Sequence, residues 1–151
     1  MSELAELPPA PDVAGFNLDG AGTFTISAVE NAALCRSTGV EPARDGTAHP
    51  IYYYIATQVA MGQTVAGLCA VCDFDVEDGP MMGSSTARFA VALRTGGEYR
   101  VSGEILSVVR KRSRKLGVMD VLTYRLRLHE TGGQVAVETD NVWVLPRKEL
   151  A

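Results

Sequence analysis

The sequence predicts an α+β domain in which an antiparallel sheet wraps around one buried helix. Two observations lead there. From Ile51 to about Ala70 the chain is apolar or small on nearly every side, with Ile55, Val59, Val65 and Leu68 spaced by Ala56, Ala60 and Ala66. A helix of that kind must be buried on almost every side. From Ser84 to Leu145 the chain instead reads as strand segments, most of them alternating, separated by turn residues, the pattern of half-buried strands. A sheet laid over one helix buries both.

The elements follow in order. Residues 1–15 hold Pro8, Pro9 and Pro11 and little periodicity, so a flexible leader is expected, with a single domain over 16–151. Thr23–Ala28 ("TFTISA") alternates and is rich in β-formers, so it reads as a short strand. Ser27 with Glu30 three residues on has the form of a capping box. The helix it opens runs from about Val29 to Ser37 and ends at Gly39, a natural residue just past a helix. "VEPARDGTA" is a loop punctuated by Pro42 and Gly46. Pro50 suits the first position of the long apolar helix. "EDGPMMGSS" (Glu77–Ser85) reads as a Gly/Pro loop, and Ser84–Arg94 as a strand ending in a turn at Thr95–Gly97. Tyr99, Val101, Gly103 and Ile105 alternate with Arg100, Ser102 and Glu104 in the next strand, which continues to about Arg110. "RKRSRKLG" (Arg110–Gly117) makes the reversal. Val118, Leu122, Tyr124, Leu126 and Leu128 share one face of the following strand, opposite Thr123, Arg125 and Arg127. "ETGGQ" (Glu130–Gln134) is a hairpin loop, and Val135–Leu145 is the last strand, stopped by Pro146.

Composition narrows the function classes. The chain has 151 residues, 46% hydrophobic and 21% charged, with a net charge of −4. That is an ordinary globular composition, large enough to bury a core without staples. The acidic balance argues against a nucleic-acid binder. "MSELAELPPAPD" lacks a basic region followed by an apolar core, so no secretory signal is expected. No apolar run reaches the roughly 18 residues of a membrane span. Cys35, Cys69 and Cys72 are odd in number, which fits reduced thiols in a cytoplasmic protein. Cys69 and Cys72 form a Cys-x-x-Cys, but the only histidines, His49 and His129, are far off in sequence. Two small apolar residues on one helix face are the simpler account, and no metal is expected. No Gly-rich phosphate loop and no nucleophile elbow occurs, and no cofactor is expected.

The stretch "DGTAHPIYYYIATQVAMG" (Asp45–Gly62) gathers the candidate site. It sets His49 at the start of the apolar helix, ahead of Tyr52, Tyr53 and Tyr54. A histidine there is either an acid/base group or a loop residue hydrogen-bonded before the helix. Successive tyrosines on a helix point about 100° apart. They therefore cannot share one face: either one or two line a ligand path, or they pack under the sheet or against a second subunit with their hydroxyls at a polar edge. Arg110, Lys111, Arg112, Arg114 and Lys115 put five positive charges into six residues of an acidic chain. They read either as an anion clamp or docking patch, or as a solvated hairpin. Met81 and Met82 either adapt to a greasy ligand or fill gaps. Glu104 and Asp120 lie within strands, where a carboxylate is either buried or, more commonly, paired at the surface.

The order of elements resembles the hot-dog fold, and the detail resembles the MaoC-like hydratases and dehydratases over roughly residues 22–146. "FTISAVENAALCRSTG" is similar to the opening strand, helix and Thr-Gly of that family. "TAHPIYYYIATQVAMG" is similar to the start of its central helix. "LRTGGEYRVSGEILSVVRKRSRKLG" and "ETGGQVAVETDNVWVLPR" are similar to its later hairpins. Catalytic members usually carry an Asp-x-Asn-Pro-x-His motif just after the Thr-Gly. Here Thr38-Gly39 is followed by "VEPARDGTAHP", with Asp45 and His49 four apart and no Asn-Pro between them.

The resemblance implies hydration or dehydration of an acyl thioester, an enoyl or 3-hydroxyacyl group on coenzyme A or a carrier protein. It implies His49 as the acid/base group with Asp45 in support, since imidazole titrates near neutrality. It also implies backbone N–H groups at the helix start polarising the thioester carbonyl. Tyr52, Tyr53, Met81 and Met82 would line the acyl path, and Arg110, Lys111 and Arg112 would hold phosphate. A homodimer or a heterodimer with another hot-dog subunit is implied as well. Two alternatives stand beside it: a non-catalytic acyl-binding subunit of a heteromeric hydratase, and a hot-dog thioesterase. The absence of any carboxylate between Gly46 and Asp73 counts against the thioesterase.

Overall fold

The computed structural model describes residues 5–150. Residues 1–4 of the expected leader, and residue 151, lie outside the described residues. β1 (Phe24–Thr25) is followed by α1 (Ala28–Ser37). Ser27 caps α1 by accepting the Glu30 N–H at 3.2 Å, and the chain leaves the helix through Gly39 at φ +80°. Both ends lie where the sequence placed them, because each depends on one local residue type.

The long apolar helix is not continuous. It divides into α2 (Tyr52–Ala60) and α3 (Val65–Val71), which meet at a bend of 66°. The break has a tertiary cause. The segment Leu18–Gly20 crosses at this point, and Gly62 N–H donates to the Leu18 carbonyl at 2.9 Å. A Cβ on Gly20 would sit 1.8 Å from the Ala60 carbonyl oxygen, and one on Gly62 would sit 2.4 Å from that of Asp19. Two backbones touch, and only glycine allows it. Thr64 then caps α3 by accepting Gly67 N–H at 3.0 Å. Among the described residues no single helix is long and apolar enough to cross a membrane; α2 and α3 pass that test only together, across the bend.

Four further strands, β2 (Met81–Phe89), β3 (Glu98–Ser113), β4 (Gly117–Glu130) and β5 (Val135–Pro146), join β1 in one antiparallel sheet of order β1-β3-β4-β5-β2. Two strand boundaries differ from the sequence expectation. β2 begins three residues earlier and ends at Phe89, because Met81 and Met82 pair with Val144 and Trp143 of β5 before a register shift at Gly83. β3 runs on to Ser113, because Arg110 and Arg112 pair with Asp120 and Val118. In both cases a neighbouring strand offers free ladder groups, and satisfying them outweighs local turn signals.

The sheet curls over α2. Its inner face carries Tyr99, Val101 and Ile105 of β3, Leu122, Tyr124, Leu126 and Leu128 of β4, and Val137, Trp143 and Leu145 of β5, all buried. Tyr52, Ala56 and Thr57 of α2 are buried against it. Each large side chain contributes roughly 1.5–3 kcal/mol by leaving water. The outer face carries ion pairs: Arg125 with Asp140 at 2.7 Å, Arg127 with Glu138 at 3.0 Å and with Glu104 at 3.1 Å. Glu104 is thus the surface-paired carboxylate, whereas Asp120 is fully buried between Arg110 at 2.8 Å and Arg147 at 2.7 Å. Arg147 also donates to the carbonyls of Cys72 and Asp73, tying β5 to the end of α3.

Candidate functional site

His49 lies in the loop before α2, and its surroundings determine which proton it holds. Its backbone N–H donates to Asn31 Oδ1 at 2.8 Å, anchoring the loop to α1. Its ring Nδ1 stands 3.1 Å from the Ile51 N–H. A backbone N–H can only donate, so Nδ1 is the acceptor, and neutral His49 carries its proton on Nε2. The ring therefore caps the start of α2, where the N-cap residue Ile51 makes no side-chain hydrogen bond of its own. The remaining ring nitrogen of His49, Nε2, is a donor and not a lone pair.

Asp45 is not turned to His49. It is exposed, its Oδ1 accepts the Thr47 N–H at 2.9 Å, and its carbonyl accepts from Arg94 at 3.1 Å. The bond from Thr47 holds its carboxyl below the ordinary aspartate value. An aspartate two residues ahead of a free N–H closes its own turn. The same economy removes the expected oxyanion donors: the N–H groups of Tyr52, Tyr53 and Tyr54 donate to the carbonyls of His49, Pro50 and Ile51 at 3.1, 3.0 and 2.9 Å. α2 opens with a tight turn that uses the donors an N-terminus would otherwise present.

Beside this loop runs an apolar groove of about 310 Å³, lined by Thr47, Ala48, Pro50, Phe89, Val91 and Leu93 among others. The three tyrosines separate as helix geometry requires. Tyr52 is buried in the core. Tyr53 is half-buried, its ring edge-on to Phe89 at 6.1 Å and its hydroxyl 2.9 Å from Ser85 Oγ. Burial raises the phenol of Tyr54 above its usual value. Met81 and Met82 are exposed on β2, an edge strand of the sheet.

Tyr53 opens onto a polar chain that the sequence did not reveal. Ser85 Oγ donates to Asn141 Oδ1 at 2.6 Å, and Gln58 Nε2 donates to the Tyr124 hydroxyl at 2.8 Å. Burial drives the Tyr124 phenol far above its ordinary range, so it stays protonated. Asn141 and Thr139 alternate correctly as inward residues of β5. The pairing of Asn141 with both Ser85 and Tyr124 follows from register alone, which no single strand carries in its sequence.

The basic cluster does not meet the helix start. Arg110 faces inward to Asp120 and donates to the carbonyls of Pro8 and Pro9 at 3.0 and 2.9 Å. Arg112 donates to the Ala5 carbonyl at 2.7 Å. Lys111, Arg114 and Lys115 are exposed. Asp120 stands opposite Arg110, while Leu128 stands opposite Val137, itself opposite Phe89 of the groove. Leu128 lies eight steps along β4 from Asp120, or about 26 Å at ~3.3 Å per residue. The expected phosphate clamp and the expected acid/base residue thus belong to opposite ends of the sheet.

No family model matches this chain, and no curated protein matches it. Solved structures do. The C-terminally truncated HadBC complex, a 3R-hydroxyacyl-ACP dehydratase from Mycobacterium tuberculosis, aligns with TM-score 0.66 at 14% identity, covering 88% of this chain and 97% of that one. The chain has the hot-dog fold. The MaoC-like dehydratase from Rhodospirillum rubrum aligns with TM-score 0.60 at 13% identity over 89% and 93% of the two chains. A Streptococcus mutans protein solved with acetyl CoA aligns with TM-score 0.56 at 10% identity over 95% and 91%. These likenesses agree with the α+β architecture and the MaoC-like resemblance of the sequence; at such identities they are likenesses of fold.

Proposed function

We propose that this hot-dog chain holds an acyl thioester, of coenzyme A or a carrier protein, as one subunit of a hydratase or dehydratase whose acid/base set is completed by a partner hot-dog subunit. The observation that carries the proposal is the state of His49. With Nδ1 occupied by Ile51 N–H and Asp45 closing its own turn, this chain supplies a hydrogen-bond donor beside an apolar groove. Hydration of an enoyl thioester also needs a base to take a proton from water. His49 in this tautomer can polarise a thioester carbonyl or deliver a proton, so the base comes from elsewhere.

The free edge supports a partner. Among the described residues β2 has no strand neighbour on one side, and it exposes Met81, Met82 and Phe89, an apolar edge that a second sheet would cover. The neighbours' names point the same way, one being a two-component dehydratase and another solved with acetyl CoA. The acyl groove is assigned to the residues around Phe89 and Val91, with Tyr53 at its polar margin.

The test uses the purified chain, alone and with a co-expressed hot-dog partner. The expected result is saturable binding of crotonyl-CoA or crotonyl-carrier protein by the chain alone, with hydration only when the partner is present. Absence of binding to both thioesters in either preparation overturns the proposal. Hydration by the isolated chain, lost in His49→Ala, favours instead a self-sufficient enzyme with His49 as its acid.

A further inference from the structure

The second histidine is the one that presents a lone pair. A cavity of about 550 Å³ lies at the β1 end of β3 and β4, lined by Asp19, Arg100, Ser102, His129, Glu130 and Gly133 among others. Inside it Ser102 Oγ stands 2.6 Å from His129 Nε2, and His129 Nδ1 stands 3.1 Å from the Gly133 carbonyl oxygen. A carbonyl can only accept, so Nδ1 carries the proton. The lone pair of the neutral ring is then on Nε2, and the Ser102 hydroxyl donates to it. His49 and His129 hold opposite tautomers, each imposed by a backbone group.

The fold builds this pair deliberately from register. Arg100 lies opposite His129 and Ser102 opposite Arg127, so Ser102 and His129 are diagonal neighbours on the outer face, within reach of a long side chain. A register shift between Leu128 and His129 displaces β4 against β5, and Gly133 at φ +91° turns its carbonyl back toward the ring. Both side chains are half-buried and open to the cavity. Nucleophile, base and a third group that orients the base are the parts of an activated hydroxyl. Arg100, exposed and in no salt bridge among the described residues, lines the same cavity.

We infer that Ser102 is a nucleophile activated by His129, and that this cavity transfers the acyl group of an ester or thioester to water. Ser102 Oγ bonds to the carbonyl carbon as its proton passes to His129 Nε2. The carbon–oxygen or carbon–sulfur bond to the leaving group breaks, and the imidazolium returns that proton to the departing alkoxide or thiolate. Water, deprotonated by the same nitrogen, then releases the acyl group as a carboxylic acid and restores the hydroxyl. Arg100 is the cationic donor available to the oxyanion. The site is separate from the α2 groove and does not depend on its assignment.

The test is covalent labelling of the full chain with diisopropyl fluorophosphate, mapped by peptide mass spectrometry, beside hydrolysis of p-nitrophenyl acetate. The expected result is one adduct, on Ser102. Ser102→Ala loses both the adduct and the hydrolysis. His129→Gln slows both by about 10²-fold or more, with Trp143 fluorescence reporting an intact fold. An unmodified Ser102 in the unaltered chain overturns the proposal whether or not either variant folds, as does labelling of a folded His129→Gln at the unaltered rate.

Discussion

Replacing Asp120 by asparagine removes one charge from the most enclosed ion cluster of the fold. The Asp120 side chain is fully buried, and its partners Arg147 and Arg110 retain only 4% and 10% exposure. Asparagine keeps the shape but leaves two guanidinium groups facing a neutral amide. Breaking a buried pair by removing one partner costs about 3–5 kcal/mol. Arg110 lies nearer the rim and regains some water, so about 3 kcal/mol is expected. With a urea slope of about 2 kcal/mol per molar, the unfolding midpoint falls by roughly 1.5 M. Trp143 is the single tryptophan, buried and edge-on to Tyr124 at 5.3 Å, so its fluorescence follows the core. The comparison is Asp140→Asn on the outer face, whose side chain is 21% exposed and whose Arg125 partner is 30% exposed, so water offsets more of the loss and a smaller cost is expected. A loss at Asp120 no larger than that at Asp140 refutes the reasoning.

The same cluster sets a pH dependence. Burial pushes the Asp120 carboxyl up, but hydrogen bonds and charge from Arg110 and Arg147 outweigh it and hold the group below its ordinary value. A depressed carboxyl contributes its stability above the unfolded value, about 3.9, and loses it as pH falls through the folded value. The stability gap between the unaltered chain and Asp120→Asn is therefore full near neutrality and narrows below about pH 4.

Three further outcomes are expected. Gly20→Ala, whose Cβ would lie 1.8 Å from the Ala60 carbonyl oxygen, destabilises by about 1–3 kcal/mol or more in urea unfolding, whereas Gly132→Ala, with nothing within 4 Å, stays close to neutral. The ring-nitrogen ¹⁵N shifts of the neutral imidazoles place the proton of His49 on Nε2 and that of His129 on Nδ1; the same tautomer at both positions contradicts the two backbone contacts. Cys35, Cys69 and Cys72 are all buried, and desolvation raises the Cys72 thiol to about 11, so a disulfide reagent reacts with none of them until the chain unfolds.

Local signals were legible in the sequence wherever one or two residues suffice to cause the structure. Ser27 and Gly39 bound α1, Pro146 ends β5, and alternation in β4 separates Leu122–Leu128 from Arg125 and Arg127. The site was less legible. His49 stands at the start of the helix as the sequence indicated, but Asp45 turns to Thr47 and Arg110 turns to Asp120. Each charged group bonded the nearest competent partner, and sequence spacing does not say which partner lies nearest.

By itself the sequence determined the α+β layering, the inward and outward faces of the long strands, and the placing of a histidine before an apolar helix. These follow from periodicity and from residue types acting within a few positions of themselves. Only the tertiary structure decided where the apolar helix breaks, how far β2 and β3 extend, and which nitrogen of each histidine holds the proton. A backbone crossing at Gly20 and Gly62, an unfilled ladder, and a donor or acceptor brought to each ring make those choices. Each depends on a group distant in sequence or on a local backbone fold, and so on register and packing that one strand or helix cannot encode alone.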